Sequence, residues 1–201
     1  MKTLHLKPLI ALVSLTLISS NGFAHTEAGV AGGLISGFLH PIFGLDHLVA
    51  MVAVGLWGAQ LKQPAIWLLP ITFPVLMAVG GVLGVAGVAL PAVEIGIAVS
   101  ALILGLVVAF SVKAPLWVAA IIVGFFAIFH GHAHGTELPG AANPLAYGVG
   151  FVVSTGLLHL AGILLGLITK WPNGARTIQA MGGLIAALGA YFSLGSLGLF
   201  A

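Results

Sequence analysis

The chain has 201 residues, 60% of them hydrophobic, with six basic and four acidic side chains and a net charge of +2. A soluble domain carries roughly 25% charged residues, so a water-facing surface cannot be built from the 5% present here. The few basic groups form no patch interleaved with aromatics, which excludes a nucleic-acid partner, and with no cysteine there is no disulfide, thiolate ligand or CxxCH haem attachment.

Residues 1–24 read as a cleaved signal peptide: Lys2 and Lys7 precede an apolar stretch at 9–18, and Gly22-Phe23-Ala24 fits a small-x-small cleavage site. An uncleaved first span is the alternative. Cleavage makes His25 the mature N-terminus, where imidazole and free α-amine can chelate one ion together. The remainder, 25–201, reads as a single all-α, polytopic transmembrane domain of six spans, at roughly 20 residues each. The spans fall at 37–61, 66–85, 92–112, 116–129 (extending toward Ala133), 146–168 and 177–200.

Residues 28–61 are too long for one straight span, because a helix through all of them would reach about 50 Å. The expected solution is one span plus an extra piece at 28–39, either a short helix at the outer surface or a re-entrant segment. His40-Pro41 marks the joint and the main span starts at Pro41, since proline suits a first helical turn and disfavours helix just before itself. Glycines recur at four-residue spacing in Gly29/Gly33/Gly37, Gly80/Gly84 and Gly162/Gly166. That spacing lets membrane helices approach closely and leaves room for a homo-oligomer.

Lys62, Lys113, Lys170 and Arg176 all fall in alternate connections, and the other connections have no basic residue. The positive-inside rule makes that side cytoplasmic and both mature termini external, as the signal peptide also predicts. The histidines and carboxylates then gather toward the outer half of the molecule, with His159 deeper, about midway or beyond. Such groups inside spans are costly and mark a pathway or site.

Two constellations carry the chemistry. In the first, His40-Pro-Ile-Phe-Gly-Leu-Asp46-His47, seven-residue spacing brings His40 and His47 toward one helix face, and Gly44 leaves room beside them. Two imidazoles and a carboxylate suit Ni²⁺, Co²⁺ or Zn²⁺. Asp46 is either a ligand or the group that holds a histidine ring nitrogen, against the plainer alternative of a polar pair that ties the bundle together. In the second, His130-Gly-His132-Ala-His134-Gly-Thr-Glu137, His130 and His134 share a face if the helix continues; the two glycines equally allow a turn. This tract is a site in the pathway or a surface metal scavenger. His159 sits alone in an apolar run, as a core hydrogen-bonding residue or the next ligand inward. Glu94 follows Pro91 in a first helical turn, where the helix dipole favours a carboxylate in any case. Walker A, dinucleotide-binding and HExxH motifs are absent.

The stretch His40-Pro41-x-x-Gly44-x-Asp46-His47-x-x-x-Met51 resembles the signature of the HupE/UreJ family of nickel and cobalt permeases, and the His130–Glu137 tract is similar to that family's second block. The signal peptide, six spans and length of about 200 residues match too. The first motif is also similar to the His/Asp signature of the larger nickel/cobalt transporters. The resemblance implies uptake of Ni²⁺, or sometimes Co²⁺, across the bacterial inner membrane, with no permanently bound cofactor and with hydrogenase, urease or cobalamin systems as users. It implies that His40, Asp46 and His47 select the metal while His130, His134 and Glu137 help capture or pass it; His132 is an additional histidine. Rival readings are a membrane haem protein using His47 and His159, an intramembrane metal-dependent hydrolase, and an accessory subunit that only scavenges metal.

Overall fold

A computed structural model describes residues 30–136, 138 and 143–199. The signal-peptide reading, His25 and Glu137 lie outside the described residues. The described chain is all-α. Its helices are α1 (Val30–Phe43), α2 (Leu45–Leu61), α3 (Ala65–Val85), α4 (Val93–Ala109), α5 (Leu116–Thr136), α6 (Pro144–Gly166) and α7 (Gly174–Ser196), and a 3-10 turn, Leu167–Lys170, extends α6.

Four helices are each long and apolar enough to cross a bilayer: α3, α5, α6 with its extension, and α7. The pair α1 and α2 passes the same test together, bent by 78° at the break between them, which gives five. The remaining helix, α4, is apolar but has only 17 residues. The exterior is built for lipid: Ile71, Val82, Trp117, Ile121, Leu164 and Leu184 all point outward and exposed. A multi-pass membrane protein follows from these lengths and this inside-out polarity.

Helix seams are made by small residues, as the glycine spacing predicts. A Cβ at Gly80 or Gly84 of α3 would collide with the carbonyls of Ile128 or His132 on α5, and one at Gly131 or Gly135 would collide with α3 in return. Gly37 lies against the Tyr147 backbone, and Gly55 and Gly162 join α2 to α6 in the same way. Backbones at this distance gain van der Waals contact where lipid offers no hydrophobic drive for association.

The two ends of the bundle differ. At one end Trp57 Nε1 donates to the Val112 carbonyl, Gln60 Nε2 donates to the Val108 carbonyl and Ser111, and Gln179 Nε2 donates to Ser111. These bonds gather the end of α2, the end of α4 and the start of α7, so Lys62, Lys113 and Arg176 share that end. Gly166 against Ala59 brings Lys170 there as well. Three exposed indoles, Trp67, Trp117 and Trp171, follow these basic residues in sequence and lie at the same end. Tryptophan is favoured at the level of the headgroups. His40, His47, His130, His132 and His134 occupy the other half, and His159 lies deeper, past the middle of α6.

Three expectations change. The break in the first span falls at Gly44, not at His40-Pro41, and Pro41 is buried inside α1. The helix survives the proline because the backbone bond from Gly44 N to the His40 carbonyl, 3.0 Å, closes the last turn beyond it. Gly44 then turns extended (φ −76°, ψ 100°) and its carbonyl starts α2 by accepting from Leu48. The fourth span runs to Thr136, well past 129, because Gly131 and Gly135 serve packing against α3 and leave the helix intact. The last helix starts at Gly174, three residues ahead of the expected 177.

Candidate metal site

The 78° break positions the first constellation. His40 sits in the last turn of α1, and Asp46 and His47 in the first turn of α2. The Asp46 carboxylate accepts from the His47 backbone N–H and from His47 Nδ1, both at 2.8 Å. A carboxylate is favoured in a first turn by the unpaired amides there. By holding Nδ1–H it also fixes the tautomer that leaves Nε2 of His47 free. That Nε2 is buried and has no hydrogen-bond partner. Asp46 thus stands behind His47 and orients it. A Cβ on Gly44 would come within 3.2 Å of His47 Nδ1 and 3.4 Å of Asp46 Oδ1, so a side chain there would crowd the pair.

Continuous helix through α5 puts His130 and His134 on one face and turns His132 away. His132 Nε2 donates to the Val88 carbonyl in the connection between α3 and α4, at 2.7 Å. That bond fastens the connection to α5. His134 instead faces α1 and α2, with ring centroids 4.6 Å from His40 and 4.8 Å from His47. His130 lies 5.0 Å from His47, one turn deeper, and its Nδ1 donates to the Phe126 carbonyl at 2.9 Å.

His40, His47 and His134, from three separate helices, therefore converge. Each offers one nitrogen, and these nitrogens lie within 4.8 Å of one another. Two imidazole nitrogens on one first-row ion, each about 2.1 Å from it, are roughly 3–4 Å apart, so a modest swivel of the rings closes the cage. Among the described residues, ten buried side-chain polar atoms have no hydrogen-bond partner, and seven of these are histidine ring nitrogens. Buried polar atoms are nearly always paired. Four of the seven, on His47, His130 and His134, gather at the converging rings, and such a concentration of lone-pair donors fits the chemistry of a transition-metal ion, which takes imidazole nitrogen readily.

The other sequence candidates fall around this cage. Glu94 is exposed in the first turn of α4 and lines an outward cleft with Asp46, Ala98, Tyr191, Phe192 and Ser196. His159 is fully buried on α6, with its ring 5.3 Å from that of Phe73. Phe73 also contacts His130 at 5.3 Å. His47 and His159 are thus linked through the rings of His130 and Phe73, on the line where a haem between them would have to lie.

Sequence reasoning missed the aromatic wall. Phe151 lies 4.0 Å from His134 and 6.1 Å from His40, and Tyr147 lies 6.3 Å from His40. The signal was available: Tyr147, Phe151, Thr155 and His159 follow at four-residue spacing, one face of a helix.

One difference between the histidines of α5 can be measured. His132→Ala is expected to cost about 1 kcal/mol of stability through one lost hydrogen bond while metal binding stays within about threefold of wild type. His134→Ala is expected to lose that binding. Equilibrium dialysis with radiocobalt, together with thermal melting, separates the two effects.

Comparisons with known proteins cover most of the chain. A family model described as "HupE / UreJ protein" matches residues 13–192. "Protein HupE" of Rhizobium leguminosarum bv. viciae is 45% identical over 183 residues, covering 90% of this chain and 96% of the relative. No solved structure matches. With a family model spanning nearly the whole chain and a relative alike from end to end, the chain belongs to the HupE/UreJ family.

Proposed function

We propose that the protein takes up Ni²⁺ or Co²⁺ across the bacterial inner membrane, as a channel-like permease or secondary transporter with no resident cofactor. The observation that carries this reading is the cage of His40, His47 and His134, three imidazoles from three helices, with buried, unpaired nitrogens on His47 and His134. The linked rings of His130 and Phe73 argue against the haem reading.

The topology is six spans after a cleaved 1–24 segment. The helix α4, at 17 residues, is just long enough to count as a span. The bent pair α1 and α2 counts as one span, with the outer part of α1 entering the membrane as a re-entrant arm. The basic, indole-bearing end is cytoplasmic by the positive-inside rule, so the cage opens toward the periplasm and both mature termini lie there. Glu94 and Asp46 in their shared cleft, with His25 and Glu137, draw cations toward the cage. His130 takes the ion one turn deeper. The potential assists, since a divalent cation moving inward gains roughly 4.6 kcal/mol per 100 mV, twice the unit-charge value. Hydrogenase or urease maturation consumes the metal.

The test is ion flux into vesicles loaded with a metal-sensitive dye, run separately with Ni²⁺, Co²⁺, Zn²⁺ and Mn²⁺. Accumulation of Ni²⁺ or Co²⁺ above protein-free vesicles is expected. Flux of none of the four would sink the transport reading, and tight, unexchanging retention of Zn²⁺ would favour a hydrolase.

A further inference from the structure

The ring contacts do not end at the cage. Phe151, which touches His134, and His159 lie eight residues apart on α6, two turns or roughly 12 Å along the axis. Thr155 lies between them on the same face. It is fully buried, and its Oγ1 has no hydrogen-bond partner. A threonine in a helix can bond back to the carbonyl one turn before it, as Thr72 and Thr136 do in this protein; Thr155 does not. Both ring nitrogens of His159 likewise lack a well-formed hydrogen bond.

Besides Phe73, the Pro70 carbonyl of α3 lies near enough to the His159 ring to act on it as an acceptor. Its freedom follows from sequence. In a continuous helix that carbonyl would accept from the amide of residue 74, but residue 74 is proline and has no N–H. A carbonyl released from its helix, inside a membrane protein and beside a cavity or ligand, is a common cation donor in transporters.

We propose that His159, Thr155 and the Pro70 carbonyl form a second, inner binding station for a divalent transition-metal ion, divided from the outer cage by the ring of Phe73. The proposal rests on the transport reading and deepens it. The donor set is nitrogen and oxygen, as Ni²⁺ and Co²⁺ accept. The Phe73 ring touches both His130 and His159, so the ion passes from one to the other as that ring turns aside. Three donors of mixed strength hold it loosely enough to release it inward, which conduction requires.

The absence of cysteine makes the station addressable. In His159→Cys and Thr155→Cys, a thiolate is introduced at one known depth, and Co²⁺ reaching it produces a thiolate-to-cobalt charge-transfer band that nothing else in the chain can give. Purified full-length protein is titrated anaerobically with Co²⁺, and total binding is followed by equilibrium dialysis. The expected result is a saturable band in at least one variant. Cobalt bound in a manner lost on His47→Ala, with no band in either cysteine variant, overturns the inner station and leaves the cage standing. No bound cobalt at all overturns both.

His159→Gln provides a second readout. The glutamine amide can still donate to the Pro70 carbonyl but is a poor ligand for these ions. Uptake is expected to fall at least about tenfold, with cage affinity within about twofold of wild type, as for a group lost from the path but not from the outer site. Near-wild-type uptake would make His159 a strut of the bundle and overturn the proposal.

Discussion

Metal uptake is expected to fall at least about 100-fold in His47→Ala, and by about 10–100-fold in Asp46→Ala, the range typical of losing a group that orients a metal ligand. The order follows from geometry. His47 supplies one of the three nitrogens that converge among the described residues, whereas Asp46 acts through His47 by holding Nδ1–H at 2.8 Å. Asp46→Asn is expected to lie between wild type and alanine, because the amide oxygen can accept the same hydrogen bond without the charge. Initial uptake rates over a range of Ni²⁺ concentrations check the series. Equal loss in Asp46→Asn and Asp46→Ala would mean that the carboxylate charge, not the orientation of His47, is what matters. Unchanged uptake in both alanine variants would reduce the protein to an accessory scavenger.

The second large effect is structural. Gly131→Val is expected to cost about 3 kcal/mol or more, at the upper end for overpacking, and to lower Tm by roughly 6–12 °C in a chain of this size. The added Cβ meets the backbone of Met77, which cannot step aside as a side chain could. Moving α3 away would also displace Phe73 from the rings of His130 and His159. Gly148→Ala is the control: nothing lies within 4 Å of an added Cβ there, and melting should be unchanged. Thermal melting in detergent, with size-exclusion profiles, distinguishes the two. A neutral Gly131→Val would mean that the α3–α5 seam is looser than its geometry.

Much of this was legible in the sequence for physical reasons. Spans reveal themselves by length and apolarity, and the four lysine and arginine positions revealed which ends share a side. The pairing of His130 with His134 needed only helical spacing. The bend was harder to locate. Proline at 41 is the stronger local signal, yet its cost was met inside α1, and the extended Gly44 took the break three residues later. The same spacing turns His132 away from the cage, but its partner, the Val88 carbonyl 44 residues away, is something no local pattern encodes. The contribution of Phe73 and Pro70 came from α3, a helix without an ionisable group, and was invisible to a search for such groups.

The shortness of α4 has an electrical consequence. Its 17 residues rise about 26 Å, less than the roughly 30 Å of a hydrocarbon core. In the proposed six-span topology, with the indoles holding the opposite end at the headgroups, the end that carries Glu94 would stop short, and lipid would thin around it. The cleft lined by Glu94 and Asp46 would then be open to water. A membrane voltage falls across insulating material and hardly at all across water, so in that topology the drop would be compressed into the stretch from His47 to the basic end. Each ångström an ion travels there carries a larger share of the total driving force than it would in a bilayer of full thickness.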